Sequence, residues 1–297
     1  MKKIKKAVLP VAGFGTRFLP ATKAIPKEML AIIDKPLIQY AVEEAVSAGA
    51  EEIIFITSYT KGAIENHFTS YPELEERLIS SNKLELLEKI KPSYLDNLKF
   101  TYIHQEIQKG LGHAIYLAKD AIGNNPFSVL LPDDLFISSP SCLQQLADSF
   151  SMHGNSTIAV NVIDKENIHK YGVINKGDNE IVNNEIDIFD IVEKPSAEDA
   201  PSDIAACGRY IFNPSIFDLI EEVEPDSSGE IQITDAIRLL LKKENVKAKL
   251  YEGEKYDCGS RTGYVEATIA VGMKDPEISY NIKKIIRESI WNQLYFF

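Results

Sequence analysis

The sequence predicts an α/β fold built on a mostly parallel central sheet. Strand-like and helix-like segments alternate through the first half, as βαβ units require. A short apolar run, Ala7–Val11, turns through Gly13 and Gly15 at the place where such a sheet binds ligands. A second apolar run, Phe127–Leu131, ends abruptly in Pro132-Asp133-Asp134.

The elements follow in order. Ala7–Ala12 is the first buried strand. Pro36 opens a helix that places Leu37, Ile38, Ala41 and Ala45 on one face and stops before Gly49. Glu52–Thr57 is the next strand and Lys61–Phe68 a short helix. Tyr71–Asp96 is charged and reads as an irregular insertion. Lys99–His104 (strand), Leu111–Ile122 (helix) and Phe127–Leu131 (strand) complete the first half. The second half is more mixed. Thr157–Val162, Tyr171–Ile174, Ile186–Val192 and Ala206–Phe212 read as strands. Pro214–Glu222, Glu230–Lys243, Thr262–Met273 and Ile278–Leu294 read as helices. No low-complexity linker divides the halves, so one domain is expected over 1–297. Its first half is about 1–135, its second about 136–260, and C-terminal helices fill about 261–297.

Composition narrows the function. The 297 residues carry 32 basic and 44 acidic side chains, a net charge of −12, which argues against a nucleic-acid surface or an anionic membrane. Cys142, Cys207 and Cys258 are far apart and lack metal-ligand spacing, as in a reduced, cytoplasmic protein. The basic start faintly imitates an export signal, but Pro10, Gly13 and Gly15 break its apolar stretch. No run is long enough to span a membrane.

The glycine loop is Leu9-Pro-Val-Ala-Gly-Phe-Gly-Thr-Arg-Phe-Leu-Pro20, followed by Ala-Thr-Lys-Ala-Ile-Pro-Lys-Glu-Met-Leu30. Glycines let a phosphate approach backbone N–H groups, and Arg17, Lys23 and Lys27 would neutralise it. Phe18 stands where the dinucleotide fingerprint needs its third glycine, and no Gly-Lys-Ser/Thr occurs. Pro20 and Pro26 keep a helix from starting directly after the glycines, so the cations must reach from an extended segment. Asp133 and Asp134 stand at a strand end, where magnesium takes one or two carboxylates plus phosphate oxygens. In Gln105-Glu-Ile-Gln-Lys-Gly110-Leu-Gly112-His113, the Gln105 amide suits a pyrimidine edge and Gly110 would let backbone approach the base. His113 is taken as a structural histidine at a helix start. Glu193-Lys194-Pro195 offers a carboxylate for sugar hydroxyls and an ammonium for a phosphate, although such a tripeptide alone is usually a turn. Gly172 and Gly208 lie in strand contexts open to a ligand. Asp257-Cys-Gly259 is locally no more than a turn. Glu230–Asp235 is an acid-loaded helix start that supports the sugar pocket.

Taken together, Gly13-x-Gly15-Thr16-Arg17-x-x-Pro20 and Pro26-Lys27-Glu28-Met29-Leu30 resemble the signature loop of the sugar-nucleotidyltransferases. Further matches run in order to Asp257. The resemblance implies a Rossmann-like nucleotide-diphospho-sugar transferase fold with a nucleotide-binding half about 1–135, a sugar-binding half about 136–260 and a C-terminal helical extension about 261–297. It assigns the metal (Mg²⁺) to Asp133 and Asp257, and the base to Ala12, Gly13, Glu28, Gln105 and Gly110, with Gly15 in the phosphate loop. The sugar falls to Gly172, Glu193 and Lys194. It implies transfer of a uridylyl group from UTP to α-D-glucose 1-phosphate, with Arg17 and Lys27 on the departing pyrophosphate and Lys194 on the attacking phosphate. The alternatives are a relative using dTTP or CTP, or a catalytically silent regulatory homologue. The apolar face Ile278, Ile282, Ile285 and Ile286, and the tail Tyr295-Phe-Phe297, imply with the family a homo-oligomer, dimer or tetramer.

Overall fold

The computed structural model describes residues 3–294, with side chains through 288. In chain order the elements are β1 (Lys6–Pro10), the short pair β2 (Ala31–Ile32) and β3 (Lys35–Pro36), α1 (Leu37–Ser47), β4 (Glu52–Thr57), α2 (Gly62–Phe68), α3 (Pro72–Ser80), α4 (Leu84–Ile90) and β5 (Lys99–His104). Next come α5 (Gly110–Tyr116), α6 (Lys119–Ile122), β6 (Phe127–Leu130), β7 (Asp134–Ile137), α7 (Cys142–His153), β8 (Thr157–Val162), β9 (Gly172–Asn175), β10 (Glu185–Asp187), β11 (Asp190–Glu193) and β12 (Ile204–Phe212). The chain closes with α8 (Ser215–Glu222), α9 (Ile233–Leu241), β13 (Lys247–Leu250), β14 (Glu254–Asp257), α10 (Arg261–Lys274) and α11 (Ser279–Leu294).

One sheet of ten strands spans both halves, in the order β10-β13-β8-β12-β6-β1-β4-β5, with β9 on β12 and β11 on β9. Strands β6, β1, β4 and β5 are parallel, and β12 enters antiparallel beside β6. Alternation along the strands feeds two cores. Val8, Ile54 and Ile56 point to the face covered by α5, α6, α8 and α9. Ala7, Leu9, Ile53 and Phe55 point to the face covered by α1 and α7. A sheet buried on both faces reads as continuous apolar runs, which is how β1 and β4 are written. The carboxyl ends of β1, β4, β5 and β6 therefore open at one edge, with the loops that follow them. Among the described residues no helix is long and apolar enough to cross a membrane.

Several expectations need correction. The charged insertion is not irregular: it folds as α3 and α4, then a 3₁₀ turn at Ser93–Asn97. Pro72 sits at the start of α3, and the Glu75 carboxylate accepts from Tyr71 N and Ser70 Oγ. The strand expected over Ile186–Val192 is two, β10 on β13 and β11 on β9, because the chain turns where Ile188 is buried and Phe189 exposed. The helix expected from Glu230 starts at Ile233. Glu230 and Gln232 are instead held by Asp226, which accepts from Glu230 N and Gln232 Nε2. Leu111–Ile122 is divided into α5 and α6. Strands β7, β13 and β14 and helix α7 carried no expectation from the sequence. The tail Tyr295–Phe297 lies outside the described residues.

Candidate active site

The loop after β1 folds as three 3₁₀ turns, Thr16–Phe18, Ala21–Lys23 and Lys27–Met29. Gly15 adopts φ 65°, a left-handed conformation costly for other residues, and a Cβ there would lie 3.1 Å from Lys27 Cβ. Thr22 Oγ1 donates to Gly15 O at 2.8 Å and closes the loop. Gly13, by contrast, faces open space, as a backbone awaiting a ligand would. Arg17 and Lys23 are exposed. Lys27 is drawn inward, its Nζ 2.6 Å from Asp133 Oδ2. Burial opposes its charge, but Asp133, Glu28 and Asp134 outweigh that, and its pKa sits above the ordinary lysine value.

The two acids proposed for metal are brought together by a long-range strand pair that the sequence did not announce. Strands β7 and β14 pair antiparallel with Asp134 opposite Asp257, which carries Asp257 to the Asp133 corner across more than a hundred residues. A Cβ on Gly259 would stand 2.8 Å from Asp133 Oδ2 and 3.0 Å from Asp257 Oδ1, so both carboxylates lie against Gly259. Burial pushes Asp133 up, yet Lys27, its own backbone and Lys255 prevail, and the carboxyl stays below its ordinary value. Asp134 does something else: it is ion-paired with Lys255 at 2.7 Å, beneath which lies the Tyr171 ring.

Behind this corner is Arg209, fully buried on β12. Its Nη1 donates to Leu131 O at 2.8 Å and its Nη2 to Asp134 O at 2.8 Å, bracketing Pro132-Asp133. Nε and Nη2 both reach Glu44 Oε2, at 3.0 and 2.9 Å, and the guanidinium lies over the Phe136 ring. A planar donor fork suits this task in a way that an ammonium does not. Cys207-Gly208-Arg209 therefore holds the acid loop; Gly208 is needed because a Cβ would collide with the Asp134 carboxylate.

Glu28 and Gln105 are both buried. The Glu28 carboxylate is paired with Lys61 Nζ at 2.8 Å. Gln105 Nε2 contacts His113 Nδ1 at 2.9 Å, and Gln108 Nε2 reaches Ala12 O at 3.4 Å. Gly110 has φ 88°, and its Cβ would meet Ile231 O at 2.8 Å. Its glycine requirement thus comes from the Ile231 backbone, where the sequence reading had placed the base.

On the opposite wall, β9 and β11 set Glu193 against Gly172. Thr234 Oγ1 donates to Glu193 Oε2 at 3.0 Å and fixes the carboxylate. Lys194 has φ 43°, anchored by its N–H to Tyr171 O at 3.0 Å, and its Nζ lies 3.1 Å from Glu193 Oε1. A non-glycine residue in that region signals a position fixed by its surroundings. A cavity of about 740 Å³ joins these groups, lined by Arg17, Asp133, Gly172, Glu193, Lys194 and Asp257 among others. The sequence reading missed Lys61, Thr234, Lys255 and the Arg209–Glu44 pair. Thr234 lay in the Glu230–Asp235 segment, Arg209 beside Gly208 and Lys255 two residues before Asp257, but none was given a role.

The chain was compared with known proteins. The family profile described as nucleotidyl transferase matches residues 6–273. A UTP–glucose-1-phosphate uridylyltransferase of Staphylococcus epidermidis is 48% identical over 288 residues, 97% of this chain and 99% of that protein. One from Bacillus subtilis is 47% identical over 279 residues, 94% of each chain. Among solved structures, a UDP-glucose pyrophosphorylase complexed with UDP-glucose superposes with TM-score 0.83 at 44% identity, covering 91% of this chain and 99% of that one. A UTP-bound enzyme of the same kind from Acinetobacter baumannii gives 0.87 at 38% identity, covering 96% and 99%.

Proposed function

The chain belongs to the nucleotidyl transferase family, and from that premise we propose that it transfers the uridylyl group of UTP to α-D-glucose 1-phosphate, giving UDP-glucose and pyrophosphate. The observation that carries the reaction is the full-length likeness to uridylyltransferases that act on this pair. No side chain need become a nucleophile, because the sugar phosphate brings one. Its oxygen attacks the α-phosphorus of UTP in line and pyrophosphate leaves opposite. Catalysis is then positioning and neutralisation of charge.

Each wall has its part in this reading. Glu28 and Gln105, with the backbone of Ala12 and Gly13 and the neighbouring Gly110, take the uracil; Gly15 shapes the turn that lets phosphate approach. Gly172 and Glu193 take the glucose, and Lys194 holds its phosphate. Arg17 and Lys27 take the charge that grows on pyrophosphate. Lys27 is poised for this, since it already holds an anionic oxygen, that of Asp133.

A divalent metal fits the residues present. Two carboxylates, Asp133 and Asp257, flank Gly259, and Asp133 already pairs with a cation, Lys27. Among the described residues no group of three or more His, Cys, Asp or Glu could enclose a metal. Two carboxylates with phosphate oxygens suit Mg²⁺ rather than a metal needing a full protein cage. Asp133 and Asp257 would hold it, and when bound it neutralises phosphate charge. For assembly, exposed Tyr280, Ile285 and Ile286 along α11 support a homo-oligomer, dimer or tetramer. Light scattering of the full chain and of a version ending before Ile278 tests it; a full-length monomer at micromolar concentration refutes it.

The test of function is pyrophosphate release from purified protein, Mg²⁺ and glucose 1-phosphate with each of UTP, CTP, ATP and GTP. UTP is expected to be fastest. Faster turnover with ATP would refute the assignment.

A further inference from the structure

Gln105 has an amide with two different ends, and only one is free. Its backbone N–H is held by Thr57 O at 2.8 Å, which fixes the residue at the end of β5. Its Nε2 lies 2.9 Å from His113 Nδ1 and 3.5 Å from Gly110 O. A primary amide nitrogen has two hydrogens, and both are directed at acceptors. Among the described residues no donor reaches Gln105 Oε1.

His113 makes this orientation the favoured one. It stands in the first turn of α5, half-buried. Burial and then Lys109 hold its pKa below the ordinary histidine value, so the ring is neutral near pH 7. A neutral imidazole with its proton on Nε2 accepts at Nδ1. Were the Gln105 amide to flip, its oxygen would face two acceptors, His113 Nδ1 and Gly110 O. Changing the histidine tautomer would relieve only the first of these clashes.

We infer that His113 is the positioning residue for base selection: with Gly110 O it locks the Gln105 amide oxygen toward the base, so the site takes a pyrimidine with an N3–H donor and refuses one with an N3 lone pair. This rests on Gln105 meeting the base. Uracil presents N3–H between two carbonyls. Cytosine presents a bare N3 beside an amino group, so a locked acceptor meets a lone pair. A site built around one polar pattern rejects its mismatch strongly, because the buried group is left unpaired. Without His113 only the long 3.5 Å contact to Gly110 O opposes a half-turn of the amide about its last bond, which offers N–H to cytosine N3. Thymine has the same N3–H as uracil, so the lock does not separate dTTP from UTP.

The experiment compares kcat/KM for UTP and CTP, at fixed glucose 1-phosphate, in the wild type, His113→Leu, His113→Asn and Gln105→Ala. For His113→Leu the CTP-to-UTP ratio should rise by about tenfold or more, the discrimination of roughly one hydrogen bond in a desolvated site. His113→Asn puts a carbonyl oxygen near the place of Nδ1 and should return the ratio toward wild type. A merely structural histidine would lower both substrates alike and leave the ratio unmoved, which overturns the inference while Gln105→Ala still raises the KM for UTP. If Gln105→Ala leaves that KM unchanged, Gln105 does not meet the base, and the reading falls with the inference. Nitrogen NMR of the wild-type imidazole gives a check that needs no variant. Nδ1 should carry no hydrogen at pH 7.5, and an Nδ1–H tautomer would refute the lock.

Discussion

Lys61→Met removes the partner of Glu28 from a pair that water hardly touches: the two side chains are 7% and 1% exposed. Burial acts on both members in the costly direction, pushing the Glu28 carboxyl up and the Lys61 ammonium down. Each charge is stabilised chiefly by the other, 2.8 Å away, with Lys27 a second cation acting on Glu28. Breaking such a pair from one side costs roughly 3–5 kcal/mol, since the remaining carboxylate must stay buried alone or take a proton. At about 2–4 °C per kcal/mol for a domain of this size, Tm should fall by roughly 6–20 °C. Glu28→Gln together with Lys61→Met removes both charges and should recover most of that loss, because a buried pair is close to neutral against uncharged replacements. The double variant should fold well but bind UTP poorly, having lost the carboxylate assigned to uracil. Thermal unfolding of the two single variants and the double, closed as a cycle, measures the coupling. A double variant as unstable as the sum of the singles would refute the reasoning, and so would Lys61→Met with an unchanged Tm.

Asp133→Asn keeps shape but removes charge, and should lower turnover by at least about 100-fold, near 2.7 kcal/mol of barrier; equal activity at limiting and saturating Mg²⁺ would show that the metal binds elsewhere. Asp257→Asn should do similar damage, read in the same metal titration. Glu193→Ala should mainly raise the KM for glucose 1-phosphate, because hydroxyl contacts are alike in ground and transition states, whereas Arg17→Ala should depress kcat; steady-state kinetics giving the reverse pattern would overturn that division. Arg209→Lys keeps the charge but not the fork that reaches Leu131 O and Asp134 O, so kcat should fall even where the protein still folds; wild-type kcat in a folded Arg209→Lys would show that the acid loop holds itself.

What the sequence conveyed and what it withheld divide along a physical line. Strands β4, β5 and β8 were legible to the residue because each is an apolar or β-branched run bounded by turn residues. The loop cations and strand-end acids stood out through the resemblance of their motifs, since locally a charge at the end of an apolar run is often only part of a turn. The β7–β14 strand pair was not, since its strands are short and separated by 116 residues, and Glu254-Lys-Tyr-Asp257 has no apolar periodicity. Pairing of that kind is set by tertiary packing, to which local propensity is blind.

The residues missed at the site share one property: each is the partner of a residue that was found. Lys61 neutralises Glu28, Lys255 neutralises Asp134, Thr234 orients Glu193, and Arg209 with Glu44 holds the backbone on both sides of Asp133. A motif announces the groups that face a ligand, because their chemistry matches it. Supporting groups answer only to their neighbours, so their type is fixed by geometry that exists after folding. The consequence appears in the charges. A chain of net charge −12 accommodates a triphosphate and a sugar monophosphate more readily when its own acids near the site are neutralised. Lys27, Lys61 and Lys255 do this for Asp133, Glu28 and Asp134. Of the three, Lys27 has the most to exchange, for it sits on the phosphate loop itself. In the proposed reaction a phosphate oxygen would replace Asp133 as its partner and leave that carboxylate beside Asp257 at Gly259.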